Sequence, residues 1–200
     1  MKSMTTHRTS SFSAVDLAYI AVFAALIIAL GAVSIPVGSL GVPIVLQNVG
    51  PILAGLILGL RRGSLATILF LAVGLVGIPN LAGWRTTLSA LPGPTVGYLV
   101  GYIVSALIVG WIAERVPTKS GVRFLWYLCA GAVGILVQYL CGSIGLVIRL
   151  DMPLVDAIAS NGPFVFGGVV KIIAAAAITT AVVKAVPDLV PSVHTQPSQA

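Results

Sequence analysis

The sequence predicts an all-α integral membrane protein with six transmembrane helices. Three observations carry that reading. Of 200 residues, 58% are hydrophobic and only 8% are charged, whereas a water-facing domain carries about 25% charged residues. The apolar residues fall in runs close to the roughly 20 residues that a spanning helix needs. The basic residues collect in the gaps between those runs, where they set orientation. A net charge of +6 in a soluble chain would point to nucleic acid. Here no patch interleaves aromatic with basic residues, so no nucleic-acid partner is expected. The lipid bilayer is the partner that the composition requires.

The elements follow in order. The first span is Asp16–Ile35. Basic residues precede it in "MKSMTTHRTSSFS", as in a signal peptide. The run is too long for such a segment and no convincing cleavage site is present, so it is read as a helix. The second span, Val45–Leu60, is short and ends at "LRRG". The third is Gly63–Ile78 and the fourth Thr95–Ala113, closed by Glu114, Arg115 and Pro117. The fifth is Arg123–Ile148 and the sixth Gly162–Val186. Residues 1–13 form a cytoplasmic tail, 14–187 the six-helix membrane domain and 188–200 a disordered C-terminal tail.

With both termini inside, the inner segments hold Lys2, Arg8, Arg61, Arg62, Arg115, Lys119, Arg123 and Lys184, and the outer loops only Arg85 and Arg149. This is the distribution expected for an even number of spans starting in the cytoplasm. The inner turns are short and basic. The outer joins are "SIPVGSLGVPIVLQN", "IPNLAGWRTTLSALPGPT" and "RLDMPLVDAIASNGP". Each is rich in Pro, Gly and polar residues, which points to a site loaded from outside.

Cys129 and Cys141 share the fifth helix. Twelve residues of rise separate them by roughly 18 Å, so they cannot bridge, and small buried apolar residues is their reading. His7 and His194 lie in the tails. No metal or cofactor is expected. An enzyme would need paired carboxylates, an activated nucleophile or metal ligands. The membrane region has Asp16 at one edge and no internal acid or histidine, so catalysis is not expected.

Residues four apart share a helix face. Gly93, Gly97, Gly101 and Ser105 leave one face of the fourth helix bare, and Gly55, Gly59 and Gly63 do so on the second. On the fifth, Gly131, Gly134, Gly142 and Gly145 lie near Gln138. Such faces serve close helix packing or leave room for a ligand. Lys171 stands one turn after Gly167 and Gly168, inside the sixth span. An ammonium there costs about 2.5–3.5 kcal/mol on insertion scales and must meet a partner or a wet cavity. Tyr98, Tyr139 and Trp84 are candidate cavity walls, or belt residues at the membrane interface.

The segments "VPIVLQN", "LILGLRRG", "VGIPNLAGW" and "GPTVGYLVGY", with a C-terminal "PF" followed by a lysine, resemble the BioY family. The resemblance runs from about Ala18 to Lys184. BioY proteins are substrate-capture (S) components of energy-coupling-factor vitamin transporters in prokaryotic plasma membranes. The resemblance implies the six-helix S-component fold, biotin taken from outside, a coupling transmembrane subunit and two ATPase subunits. The chain itself has no phosphate-binding "GxxxxGK[ST]" loop. Ala21, Ala25 and Ala29 form a stripe on the first helix; in S components such a stripe docks the coupling subunit.

The resemblance also implies site roles. Lys171 and Arg85 are the cations offered to the biotin carboxylate. Gln47, Asn80 and Gln138 are candidates for the ureido group. Gly93, Thr95, Gly97 and Tyr98 would line a slot for the bicycle, with Trp84 and Tyr139 as walls. The loops around Val42 and Ala82 would close over it. One departure stands out: the family commonly reads P-F-x-P-G-D-x-x-K, whereas Pro163–Lys171 reads "PFVFGGVVK". Gly168 occupies the aspartate's place and Phe166 a proline's. An S component for another vitamin, and a purely structural membrane protein, are the competing readings.

Overall fold

The computed structural model describes residues 12–35, 44–117, 120–186 and 189. The expectations for Lys2, His7, Arg8, Lys119, His194, the loop around Val42 and the C-terminal tail beyond residue 189 lie outside the described residues. The helices are α1 (Ala14–Leu30), α2 (Val49–Leu75), α3 (Thr87–Ala90), α4 (Val96–Ala113), α5 (Ser120–Leu150), α6 (Leu154–Ala159) and α7 (Gly162–Ala185). Among the described residues, α2, α4, α5 and α7 are long and apolar enough to cross a membrane, and α1 is shorter at 17 residues.

α1 starts at a capping box. Ser13 N–H donates to Asp16 Oδ2 at 2.8 Å, and Asp16 N–H donates to Ser13 Oγ at 3.1 Å, so orphan amides of the first turn are satisfied. The separate second and third spans expected from sequence run on as the single element α2. Its helical path is broken at Gly59, with φ 77° and ψ −171°, a backbone region open essentially to glycine alone. In a straight helix Gly63 would lie roughly 12 Å beyond Gly55. Instead, a Cβ at Gly63 would stand 2.9 Å from Gly55 Cα. The two arms of α2 therefore fold back on each other.

Polar contacts fasten this bend. Leu60 N–H donates to the Glu114 carboxylate at 2.8 Å, placing an anion at the start of the second arm, where the helix dipole favours it. Arg62 pairs with Asp16 of α1 at the same end. The bare faces anticipated from sequence are mostly crossing points. A Cβ at Gly55 would lie 2.9 Å from the Ala106 carbonyl oxygen, one at Gly110 2.6 Å from Leu60 Cα, and one at Gly101 2.9 Å from Gln138 Cα. Backbones approach closely where side chains are absent. Ile27, Ile52, Leu56, Phe70 and Tyr127 fill the interior between the helices.

The outer joins hold local structure that the sequence reading left as loops. Ser34–Ile35 pairs antiparallel with Ile44–Val45. A 3-10 turn spans Ala82–Trp84, followed by α3, whose Thr86 cap accepts from Ser89 N–H. α6 fills the join between α5 and α7.

Candidate binding cavity

At the end of the bundle remote from the Gly59 bend, five segments converge on one cavity. Val45, Gln47 and Asn48 reach it from the chain leading into α2, and Leu81, Ala82 and Arg85 from the join before α3. Thr95, Tyr98, Leu99 and Tyr102 come from the start of α4. Gln138 and Tyr139 come from α5, Phe164 and Lys171 from α7. Tyr98 and Tyr102 are four apart and so share the inward face of α4.

The aromatic wall is held from behind. Tyr98 lies across Gly142 of α5, where any Cβ would overlap its ring. Its hydroxyl donates to Asn161 Oδ1 at 2.8 Å, and Asn161 Nδ2 donates to Ser143 Oγ at 2.8 Å. Tyr139 donates to the Phe164 carbonyl at 2.8 Å. Gly168 faces that same hydroxyl, since a Cβ there would lie 2.7 Å from Tyr139 Oη.

The polar groups divide into satisfied and free. Lys171 Nζ donates to the Val45 carbonyl at 2.6 Å and to Asn48 Oδ1 at 2.9 Å. The half-buried ammonium thus meets two neutral acceptors and, among the described residues, no carboxylate. Gln138 Nε2 donates to the Asn48 carbonyl and to Ser105 Oγ, each at 3.0 Å. Gln138 Oε1 and Thr95 Oγ1 are buried and find no partner among the described residues. Buried polar atoms of folded proteins nearly always have one. No described lining residue is acidic, while Arg85 and Lys171 are basic. The cavity therefore suits an anionic molecule that also carries hydrogen-bond donors.

Seven of the residues singled out from sequence meet in this wall: Gln47, Arg85, Thr95, Tyr98, Gln138, Tyr139 and Lys171. Asn80, Trp84, Gly93 and Gly97 are not in it. Asn80 is 2% exposed and its amide is fully used. Nδ2 donates to the Phe70 carbonyl and to Thr87 Oγ1, and Oδ1 accepts from Thr87 N–H. It ties the end of α2 to α3. Trp84 is 84% exposed at positive φ. Gly97 does not open a slot; its bare face lies on α5, where a Cβ would stand 2.8 Å from Gly145 Cα. Gly93 lies beside the Arg85 guanidinium, a Cβ there being 3.7 Å from Nη2. Gln47 lines the cavity, but its Nε2 is committed to the Ile27 and Asn80 carbonyls at 3.0 and 2.6 Å.

Sequence reasoning missed Asn48, Tyr102, Phe164 and Asn161. Asn48 directly follows Gln47, and Tyr102 follows Tyr98 by one turn, so two of these carried a legible signal. Asn161 acts through Tyr98, a contact that only the folded chain brings together.

Comparison with known proteins places this arrangement in a family. The model of the BioY family matches residues 4–188. The biotin transporter BioY of Rhizobium etli is 36% identical over 150 residues, which are 73% of this chain and 80% of that protein. The biotin transporter BioY of Rhodobacter capsulatus is 37% identical over 139 residues, 65% of this chain and 73% of that one. Among solved structures, the S-component for biotin from an ECF-type ABC transporter superposes with a TM-score of 0.79 at 28% identity, covering 87% of this chain and 95% of its own. This chain belongs to the BioY family.

Proposed function

We propose that this chain captures biotin from outside and delivers it inward as the S component of an energy-coupling-factor importer. It is a transporter component and not an enzyme. The observation that carries the reading is the buried, unpartnered amide oxygen of Gln138, a residue of a cavity wall with two cations and no described acid. Biotin supplies what that wall lacks: ureido N–H donors, an apolar bicycle and a carboxylate. Gln138 Oε1 accepts a ureido N–H, and Lys171, on the neighbouring Asn48, donates to the ureido carbonyl. Arg85, on the outer join, offers its planar fork to the carboxylate, a match of geometry as well as charge. Tyr98, Tyr102 and Tyr139 flank the bicycle.

The membrane arrangement that supports this has six passes within residues 14–187: α1, the two arms of α2, α4, α5 and α7. The Gly59 bend, Glu114 and the Asp16–Arg62 pair lie at one end, with the basic inner turns, and the cavity lies at the other. Both termini then face the cytoplasm and the cavity faces outward. Ala21, Ala25 and Ala29 are exposed on α1 and offer a smooth face to a coupling transmembrane subunit, which in turn carries two ATPase subunits. ATP hydrolysis there drives release of biotin inward.

Equilibrium binding to the purified chain in lipid nanodiscs tests this. Biotin should bind, while thiamin, riboflavin and folate should not. Gln138→Leu and Arg85→Ala should each weaken biotin by roughly tenfold or more, the cost of leaving a polar ligand group unpaired. Preference for another vitamin would transfer the same fold to a different ligand. Unchanged affinity in both variants would remove the assigned contacts.

A further inference from the structure

The buried, unpartnered amide oxygen of Gln138, a residue of the cavity wall, takes its direction from a residue that does not line the cavity. Ser105 lies on α4 with 0% exposure, behind Gln138. Its hydroxyl donates to the Tyr102 carbonyl at 3.0 Å, so its proton is committed. Towards Gln138 it can only accept, and Nε2 donates to it at 3.0 Å. The second neighbour of that amide, the Asn48 carbonyl, is also purely an acceptor, at 3.0 Å. Two acceptors on one edge force the NH2 group to face them. The amide oxygen must then take the opposite direction, and it is the atom left without a partner.

We infer that Ser105 is a positioning residue for ligand selection: it locks the Gln138 carboxamide with its oxygen free, so that the cavity demands an N–H donor from its ligand. The inference rests on the biotin reading given above and adds the source of its selectivity. A freely rotating carboxamide would offer either N–H or C=O and would discriminate little between a ligand that donates and one that accepts. The locked amide rejects the ligand that cannot donate, because the buried oxygen then stays unpaired. Ser105 achieves this without touching the ligand. Its own hydroxyl is oriented by the backbone of α4, the helix that also carries Tyr98 and Tyr102.

The test compares biotin with biotin methylated on a ureido nitrogen, titrated against the full chain in nanodiscs, with the unfolding midpoint recorded for each variant. The native chain should bind biotin at least roughly tenfold tighter than the methylated form. Ser105→Ala removes one of the two acceptors, and the ratio should fall several-fold, chiefly through weaker biotin binding. Ser105→Cys keeps the side-chain shape in a slightly larger group with a weaker acceptor and should give an intermediate ratio; it also serves if the alanine variant does not fold. A merely structural serine would weaken both ligands in proportion. An unchanged ratio in a folded variant therefore overturns the inference while leaving biotin binding intact. Equal binding of both ligands by the native chain overturns it as well. Absence of biotin binding altogether would remove the functional reading first, and this inference with it.

Discussion

Replacing Gly97 by alanine adds one methyl group where the backbones of α4 and α5 meet closely. That methyl would overlap the Cys141 carbonyl oxygen and sit 2.8 Å from Gly145 Cα. Ordinary contact begins near 3.4 Å, so the gap is short by about 0.6 Å at Gly145 and by more at Cys141. Both obstacles are backbone, and no side chain can swing aside. The helices must separate, which for an overpacked interior costs about 1–3 kcal/mol. Separation also moves Tyr98 and Tyr102 on α4 away from Gln138 and Tyr139 on α5, although Gly97 itself is outside the cavity. Gly97→Ala should therefore lower both the unfolding midpoint in nanodiscs and the affinity for biotin. Gly93→Ala, in the bend just before α4, is the control. Its nearest atoms, the Ala90 carbonyl oxygen and Arg85 Nη2, would lie 3.4 and 3.7 Å away, so stability should be unchanged. Native-like stability and affinity for Gly97→Ala would refute the claim that the glycines serve the helix crossing.

Other substitutions probe the remaining parts. Gly59→Ala forces a side chain into backbone at φ 77°, ψ −171° and should cost about 1–3 kcal/mol, read as a lower unfolding midpoint. Gly168→Asp places a carboxylate near Tyr139 Oη, the flexible end of its side chain; titration should show biotin affinity raised or unchanged, and a large loss would mean that the wall is built differently. Trp84→Ala removes a side chain that is 84% exposed and should leave biotin affinity within about twofold, as surface substitutions usually do.

Much of the fold was legible because lipid imposes simple demands. Long apolar runs marked α4, α5 and α7 closely, whereas α1 ends at Leu30, short of the expected Ile35, which lies in a strand. Gly59 carried the signal for the bend, but "LRRG" reads equally as a turn between two helices or as a break inside one. The short strands, α3 and α6 are each too short to show a period. The site was legible where a residue type is costly in a membrane. Lys171 and Gln138 announced themselves by polarity among glycines, and both line the cavity. Asn80 is equally polar, yet its side-chain hydrogen bonds all serve the corner between α2 and α3. Sequence cannot separate those two fates, because burial with partners and burial without them look alike until the chain folds. Gly97 shows the same ambiguity, since a bare face invites a ligand and a neighbouring helix equally.

The most direct measurement is a crystal structure of this chain grown with biotin. The bicycle should lie among Tyr98, Tyr102 and Tyr139, with a ureido N–H on Gln138 Oε1 and the carboxylate on Arg85. Biotin found elsewhere, or an empty cavity at saturating ligand with Gln138 Oε1 still unpartnered, would contradict the account.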